Sequence, residues 1–327
     1  MDKIKLAHGN GGKLMHGLIE SMRLELSNSI LDEMADAAEL SVKGRRLAFS
    51  TDSYVVKPLF FPGGDIGKLA VSGTVNDISM KGARPLFISL GIIIEEGLGF
   101  DILKKVARSV KKASRRSGVK VVTGDIKVVE RGAADKLYIN TSGIGIIEYR
   151  GRVGSRAKAG DSIIVNGSLA EHGMAILNAR ENFGFISGIK SDCRNLNFEV
   201  DKALRASGKI SVMRDLTRGG LATALAEIAR SSNLGIEIEE RAVPVKPAVR
   251  RMCDILGFDP LYVANEGKFV VFVGKKDARK VKKALGRNAR IIGKVVTCHK
   301  KEVRLITPLG SSRILPDLEY DQLPRIC

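Results

Sequence analysis

GDIGKLAVSGTVNDISMKGA (64–83) and, one residue later, PLFISLGIII (85–94) decide the fold class of this chain. The first stretch spaces its apolar residues as a helix does, and the second is a short apolar run with the β-branched residues of a buried strand. The same alternation continues on both sides, in LAFSTDSYVV (47–56), VKVVTGDI (119–126) and LYINTSGIGII (137–147). The pattern predicts an α+β (mixed α/β) domain.

A charged run that contains glycine, EYRGRVGSRAKAGD (148–161), separates this domain from a second alternation of strands and helices. A chain of 327 residues is long for one hydrophobic core, so we expect two domains. We predict a first domain over residues 1–150, a second over residues 151–310 and a tail over residues 311–327.

The tail has the composition of an extended segment. It contains Pro316 and Pro324, follows Pro308 and shows no sustained apolar period, so we expect it to be poorly ordered. From Pro316 to the terminal Cys327 it spans roughly 36–40 Å when fully extended. That length is enough to enter a neighbouring active site.

The cysteines of the chain match no metal or disulfide motif. They are Cys193, Cys253, Cys298 and Cys327, without CxxC spacing. Cys298 and His299 are adjacent, which suits neither zinc nor a disulfide framework. We therefore expect reduced thiols.

The formal net charge of +18 raises the question of a nucleic-acid partner. The basic residues are scattered or lie in helix-like stretches such as 103–116 and 277–287, without interleaved aromatic residues. We therefore expect solvated helix faces and no nucleic-acid partner, with a basic nucleic-acid-binding protein as an alternative.

The chain has no apolar run long enough for a signal peptide or a membrane span, so we expect a cytoplasmic protein with no membrane contact.

Acidic residues recur at the ends of predicted strands and helices in the first domain. They are Asp36, Asp52, Asp77 and Asp125. Any one of them fits a turn or a helix N-cap. Several carboxylates gathered at neighbouring strand ends would repel one another unless a divalent cation neutralised them. Mg²⁺ shared with nucleotide phosphates meets that need.

Three further segments carry candidate site residues. HGNGGKLM (8–15) offers free backbone N–H groups to phosphates, although it matches neither a P-loop nor a dinucleotide fingerprint. RDLTRGGLATAL (214–225) places Arg218 at a helix N-terminus, which favours an anion. Glu266 interrupts an apolar strand pattern, either as a turn with Gly267 or as a group for acid–base chemistry.

Taken together, these motifs resemble the PurM-like superfamily of ATP-using enzymes, which includes aminoimidazole ribonucleotide synthetase. The narrower resemblance is to the HypE family of hydrogenase maturation factors. It is carried by HGNGGKLM, FSTDSYVVKPLFFPGGDIGKLAVSGTVNDISMKGARP, TGDIKVVERG, RDLTRGGLATAL, ANEGK and the terminal PRIC, and it runs from about His8 to Cys327. PRIC at the terminus separates this family from the other members.

The resemblance implies a PurM-like two-domain fold. Its N-terminal domain has a mixed sheet that pairs in a homodimer, its C-terminal domain is α/β and sandwich-like, and its flexible tail ends in a carrier, Cys327. The implied activity is the ATP- and Mg²⁺-dependent dehydration of an S-carbamoyl group on that cysteine to a thiocyanate. The cyano group becomes a ligand of the iron in [NiFe]-hydrogenase. The implied partners are the carbamoyltransferase HypF and the scaffold complex of HypC and HypD.

The resemblance also implies roles for individual residues. The nucleotide would be held by Gly9, Asn10, Gly11, Gly12, Lys13, Asp36, Thr51, Asp52, Asn76, Asp77, Thr123, Gly124 and Asp125. The aspartates among them, Asp36, Asp52, Asp77 and Asp125, would also hold Mg²⁺. The catalytic candidates are Cys327, Glu266, Glu171, His172, Arg218, Lys127 and Glu130, and the identity of the base stays open. The alternative is a PurM-like kinase or synthetase that acts on a free small molecule, with Cys327 incidental.

Overall fold

The computed structural model describes residues 4–5, 8, 12–149, 151, 153–181, 183, 188–316, 318, 323 and 326. The glycine-loop positions Gly9, Asn10 and Gly11 lie outside these residues, and so does the predicted carrier Cys327. None of the helices described is long and apolar enough to span a membrane.

The first domain contains a mixed sheet of β1 (Ala38–Val42), β2 (Arg45–Tyr54), β5 (Ala83–Glu95), β6 (Lys120–Val129) and β7 (Leu137–Ile147). The strand order is β1-β2-β7-β5-β6. Only the pair of β5 and β6 is parallel. A small hairpin, β3 (Phe60–Phe61) and β4 (Gly64–Asp65), precedes the helices. The mixed sheet confirms the predicted α+β class.

Two helices, α2 (Ile66–Met80) and α3 (Phe100–Ser117), cover one face of this sheet. α2 is the stretch from which the fold was predicted, and nearly all of its residues are buried. Its N-cap is Asp65, which accepts the N–H groups of Gly67 and Lys68. α3 turns its basic residues to solvent, which agrees with the expected solvated face.

The second domain is built on a sheet with strand order β14-β13-β10-β12-β8-β11-β9. These strands are β8 (Asp161–Val165), β9 (Ile210–Asp215), β10 (Gly235–Glu239), β11 (Phe269–Gly274), β12 (Arg290–Val296), β13 (Val303–Ile306) and β14 (Ser312–Ile314). Helices α5 (Asn197–Ala206) and α8 (Ala278–Leu285) contribute to the core on one face; α4 (Glu171–Glu181), α6 (Gly220–Ser232) and α7 (Pro247–Leu256) contribute to the core on the other. Helices on both faces give the expected α/β sandwich.

The domains are joined by polar contacts from α2 as well as by apolar packing. Asn76 donates to the carbonyl oxygen of Arg194 at 3.2 Å and accepts from the N–H of Leu196 at 2.8 Å. Ser72 donates to Asn195 at 2.9 Å. Asn76 therefore bridges the domains, a structural role that the sequence did not predict, and its contact with the nucleotide stays a prediction.

The second sheet extends past the predicted boundary at residue 310, because β14 pairs with β13 and ends at Ile314. The tail begins after this strand. Its described residues are docked: Tyr262 donates to the carbonyl oxygen of Pro316, and Leu323 and Ile326 are buried in the main core. The sequence predicted a poorly ordered segment; in this structure these positions are held, and the mobility of the tail stays a prediction.

One face and one edge of the first sheet are open. β6 is an edge strand, and all of its residues except the last are exposed. Val122 and Val128 on this strand are 58% and 68% exposed. A long apolar edge strand is normally paired or covered, and nothing in the described ranges covers this one.

Candidate active site

Asp36, Asp52 and Asp77 come together at the junction of the two domains, as the sequence predicted. Asp36 precedes β1, Asp52 lies on β2, and Asp77 lies in the last turn of α2. The hydroxyl of Ser50 donates to Asp77 at 2.7 Å. Burial raises the pKa of the Asp77 carboxyl well above its usual value, and the nearby carboxylates of Asp215, Asp52 and Asp36 raise it further.

Asp215 is a member of this group that the sequence reasoning missed. It is the last residue of β9 and follows an apolar run, which is the same strand-end signal that identified the other aspartates. Burial raises its pKa well above the usual value, with Asp36 and Asp52 adding to the effect. Its Oδ2 atom is buried and has no hydrogen-bond partner among the described residues.

The chemistry of these side chains suits a divalent cation. Every donor in the group is a carboxylate oxygen, which is the ligand type that Mg²⁺ prefers. Oδ2 of Asp215 is buried without a hydrogen bond, and the carboxylates repel one another. A positive charge between them would stabilise both features. Asp36, Asp52, Asp77 and Asp215 are therefore the residues that could hold Mg²⁺, although their oxygens would have to move closer together than in this structure, where only Glu237, Cys298 and His299 meet within 4.8 Å among the described residues.

Two arginines supply part of the positive charge. Arg214 contacts Asp36 and donates to Glu227 at 2.8 Å. Burial raises the pKa of Asp52, while the guanidinium of Arg218 opposes that rise, which places Arg218 within electrostatic reach of Asp52. Arg218 is thus brought to the cluster, as predicted.

The turn before α6 explains how Arg218 reaches this position. Gly219 and Gly220 both have positive φ, at +72° and +60°. A Cβ atom on Gly220 would lie 2.6 Å from the carbonyl oxygen of Leu261 and 2.7 Å from that of Val263. Only glycine fits this close approach, so Gly220 fixes the backbone of the turn that follows Arg218 and leads into α6.

A cleft of about 1260 Å³ opens beside the carboxylates. Thr51, Asp215 and Arg218 line it, together with residues of α1 (Gly12–Leu26). His16 of α1 pairs with Glu227 of α6 at 3.0 Å, so this helix closes one side of the cleft. Among the predicted loop residues, Gly12 and Lys13 are described and begin α1; the contact of Lys13 with phosphate stays a prediction.

Glu266 lies beside the same carboxylates, just before β11. It is 3% exposed, and its N–H donates to Asp192 at 3.2 Å. Burial raises the pKa of its carboxyl well above the usual value, and the charges of Asp215 and Asp52 raise it further. A buried acid whose pKa is raised by neighbouring carboxylates is a candidate general base.

His172 holds the end of the tail. Its Nε2 lies 3.0 Å from the carbonyl oxygen of Ile326 and its Nδ1 lies 2.7 Å from the hydroxyl of Ser191. Because a carbonyl oxygen only accepts, Nε2 carries the proton and Nδ1 accepts from Ser191. Burial lowers the pKa of His172, which keeps the ring neutral in this arrangement.

Glu171 is engaged in ion pairs with two lysines, Lys246 and Lys268. Lys268 also pairs with Asp192 at 2.7 Å, and Asp192 accepts the backbone N–H of Glu266. Glu171 and His172 therefore support the tail and the Glu266 segment. The sequence placed both residues among the candidates for the base, and that role stays a prediction.

The β6 residues stand apart from this group. Thr123, Gly124, Asp125 and Lys127 are exposed, as is Glu130, which follows the strand. Asp125 and Lys127 pair with each other at 2.9 Å, and hydrogen bonding to Lys127 lowers the pKa of Asp125.

Strand register explains the separation of Asp125. Asp125 pairs with Gly91, Gly91 pairs with Asn140, and Asn140 pairs with Ser53. Paired residues share a face, so Asp125 shares the open face with Ser53, whereas Asp52 points to the helix-covered face. The expectation that Asp125 joins the other aspartates is thus not met within one protomer, where Asp215 completes the group.

Comparison with known proteins gives consistent results along the whole chain. The family models of the AIR synthase related proteins match residues 34–147 (N-terminal domain) and 158–306 (C-terminal domain). The chain is 45% identical to carbamoyl dehydratase HypE of Rhodobacter capsulatus, over 100% of this chain and 98% of that protein.

Solved structures give the same result. A crystal structure of a HypE–HypF complex has a TM-score of 0.88 and 44% identity, and the match covers 92% of this chain and 99% of that one. A structure of hydrogenase maturation protein HypE in complex with ATP has a TM-score of 0.84 and 47% identity, over 99% of this chain and 100% of that one.

Proposed function

The chain belongs to the HypE family of carbamoyl dehydratases, and on that premise we propose that it uses ATP to dehydrate an S-carbamoyl group on its own Cys327 to a thiocyanate. The observation that carries this proposal is the docking of the tail. Ile326, the residue before the carrier, is buried and bonded to His172. His172 is also hydrogen-bonded to Ser191, and the next residue, Asp192, accepts the N–H of Glu266, which lies beside the carboxylate group.

The reaction is a phosphorylation followed by an elimination. The amide oxygen forms a bond to the γ-phosphorus of ATP, and the bond from that phosphorus to ADP breaks. Loss of both N–H protons and cleavage of the C–O bond then release phosphate and leave S–C≡N. The balance is S-carboxamide plus ATP to thiocyanate, ADP, phosphate and one proton. Phosphorylation is needed because an amide oxygen is by itself a poor leaving group.

Each group of the site has a part in this scheme. Asp36, Asp52, Asp77 and Asp215 would hold Mg²⁺, which neutralises charge on the triphosphate during transfer. Arg218 adds a cation at the same end of the cleft. Glu266 would accept an amide proton, and the neutral His172 would orient the tail.

We further propose that two copies pair through β6. The exposed apolar edge supports this, and a second copy is the partner that such an edge would pair with. Pairing would bring Asp125 and Lys127 next to the other copy, where we expect them to contribute to its nucleotide site.

Val128→Asp tests the dimer. A carboxylate introduced on this edge would be buried without a partner in the paired sheet, so we expect a monomer in sedimentation velocity and a lower rate of dehydration. Val42→Asp is the matched control, because Val42 is 50% exposed on β1, the opposite edge of the same sheet. Dimers that persist in Val128→Asp at the concentration of the control would contradict pairing through β6.

The proposed partners follow from the same scheme. A carbamoyltransferase of the HypF type would load the carbamoyl group, as the structure of the related HypE–HypF complex suggests. A scaffold complex of HypC and HypD would receive the cyano group for the iron centre of [NiFe]-hydrogenase. A tethered thiol gains effective concentration at each of these sites, provided that the tail can leave its docked position.

Intact mass measurement tests the function directly. The protein is carbamoylated by its transferase and weighed before and after addition of Mg-ATP. We expect a gain of one carbamoyl group and then a loss of one water, both absent in Cys327→Ala and both present in the control Cys298→Ala, which removes the exposed thiol of Cys298. ATP turnover that is unchanged in Cys327→Ala, with no mass change, would instead indicate a kinase or synthetase of a free small molecule.

A further inference from the structure

The turn between β12 and β13 brings three potential metal ligands together. Cys298 and His299 lie in this turn, and Glu237 lies on β10 beside it. One ligand atom from each residue lies within 4.8 Å of the others. Cys298 and His299 are exposed and Glu237 is partly so. None of the three lines the 1260 Å³ cleft, so this cluster is separate from the proposed active site.

Contacts with the start of β10 give the turn its position. A Cβ atom at Gly235 would collide with the carbonyl oxygen of Cys298, so the turn packs directly on this glycine. The N–H of Ile236 donates to the carbonyl oxygen of Glu302 at 3.0 Å, and that of Lys301 donates to Leu234 at 3.0 Å. The backbone that carries the two exposed ligands is thereby fixed against the strand that carries the third.

The turn also explains how adjacent residues can bind one ion. In an extended strand, neighbouring side chains point to opposite faces. His299 has φ +52°, in the left-handed region, and the chain reverses there. The side chains of Cys298 and His299 therefore both approach Glu237. The adjacent spacing, which argued against zinc in the sequence, does not exclude it in this turn.

We propose that Glu237, Cys298 and His299 form a surface site for a divalent transition-metal ion of the zinc class, with water as the fourth ligand. A thiolate and an imidazole select Zn²⁺ over Mg²⁺ and Ca²⁺, which require mainly oxygen ligands. Zn–ligand distances of about 2.0–2.3 Å place tetrahedral donors roughly 3.3–3.8 Å apart. The distances between the ligand atoms, which are at most 4.8 Å here, must shorten by about 1 Å or slightly more. Changes of rotamer in the exposed side chains allow this.

Lys294 competes with a metal ion at this site. Its ammonium lies 3.2 Å from Oε2 of Glu237 and is largely exposed. A bound cation would have to share or displace this ion pair. Replacing the lysine by a neutral residue of similar length should therefore strengthen metal binding, whereas replacing any of the three ligands should weaken it.

Co²⁺ and Zn²⁺ binding to the full chain tests the proposal, with excess Mg²⁺ present to occupy oxygen-only sites. We expect one equivalent of Co²⁺ to produce a thiolate-to-metal charge-transfer band in the near ultraviolet. Cys298→Ser should remove the band. Competition with a chromophoric chelator should show Zn²⁺ affinity at least about tenfold weaker in His299→Gln and in Glu237→Gln, and tighter in Lys294→Gln.

The remaining thiols provide the control. Cys193 and Cys253 are buried, so Cys327→Ser is the variant that separates the tail thiol from Cys298. The proposal is overturned by the absence of the band in the wild type, by a band that persists in Cys298→Ser or vanishes in Cys327→Ser, or by unchanged Zn²⁺ affinity in His299→Gln or Glu237→Gln. Far-ultraviolet circular dichroism confirms that each variant is folded.

Discussion

Asp77→Asn is expected to lower the rate of ATP-dependent dehydration by on the order of 10²- to 10³-fold and, at the same time, to raise the melting temperature of the metal-free protein. The loss of rate follows from the loss of a proposed Mg²⁺ ligand. The gain in stability follows from the removal of one of several buried carboxylates whose pKa values are raised by burial and by one another. The introduced amide keeps an oxygen to accept from Ser50.

The stability gain should depend on pH in a defined direction. A carboxyl whose pKa is raised on folding destabilises the folded state at pH values above that raised pKa, where it must ionise. The destabilisation fades as pH falls toward the pKa of the unfolded chain. The melting temperature of Asp77→Asn should therefore exceed that of the wild type most at alkaline pH and should converge with it at acidic pH.

Mg²⁺ provides the second measurement. It should raise the melting temperature of the wild type more than that of Asp77→Asn, because the ion replaces repulsion with coordination. Asp101→Asn is the matched control, since Asp101 is exposed on α3 and should change neither rate nor stability. A lower melting temperature in Asp77→Asn at alkaline pH, with an unchanged response to Mg²⁺, would contradict the assignment of this cluster.

The sequence predicted Asp36, Asp52 and Asp77 as one group because carboxylates at the ends of strands and helices can meet at one edge of a sheet, and the structure brings these three together. The prediction failed for Asp125 because the face of the sheet to which a strand residue points depends on the register of strand pairing. The pairing of β5 and β6 shifts by one residue between Ile88 and Ser89, so that Ser89 pairs with Thr123. A one-residue shift exchanges the two faces of a strand. Without this bulge, Asp125 would point to the same face as Asp52.

Local sequence patterns also did not predict the long-range contacts. The role of Asn76 depends on the backbone near residue 195, and the cluster of Cys298 and His299 gains its third ligand from β10. Neither is visible in local spacing. The tail shows a different limit: its prolines indicated an extended segment, yet Leu315, Leu323 and Ile326 are buried. Apolar residues that are too sparse for a regular element can still dock a segment on a core.

Glu266→Gln is expected to lower the rate of dehydration by about 10²- to 10⁴-fold, the range for loss of a general base. Glu266 is buried beside Asp215 and Asp52, which raise the pKa of its carboxyl. A base must be ionised to accept a proton, so the wild-type rate should fall as pH drops through this raised pKa. Glutamine has nearly the same shape and cannot ionise, so the pH–rate profile of the variant should lose this fall in rate at low pH, its acidic limb.

Single-turnover mass measurement on the carbamoylated protein separates the base from the nucleotide site. In Glu266→Gln, ATP should bind with nearly unchanged affinity because the proposed Mg²⁺ ligands remain, while conversion of the carbamoyl group to thiocyanate slows. Glu130→Gln is the matched comparison, because the sequence left both acids as candidates and Glu130 is exposed in one protomer. If Glu130→Gln removed the acidic limb and Glu266→Gln kept it, the base would come from the β6 edge. The proton would then leave through the dimer interface and not through the buried carboxylate group.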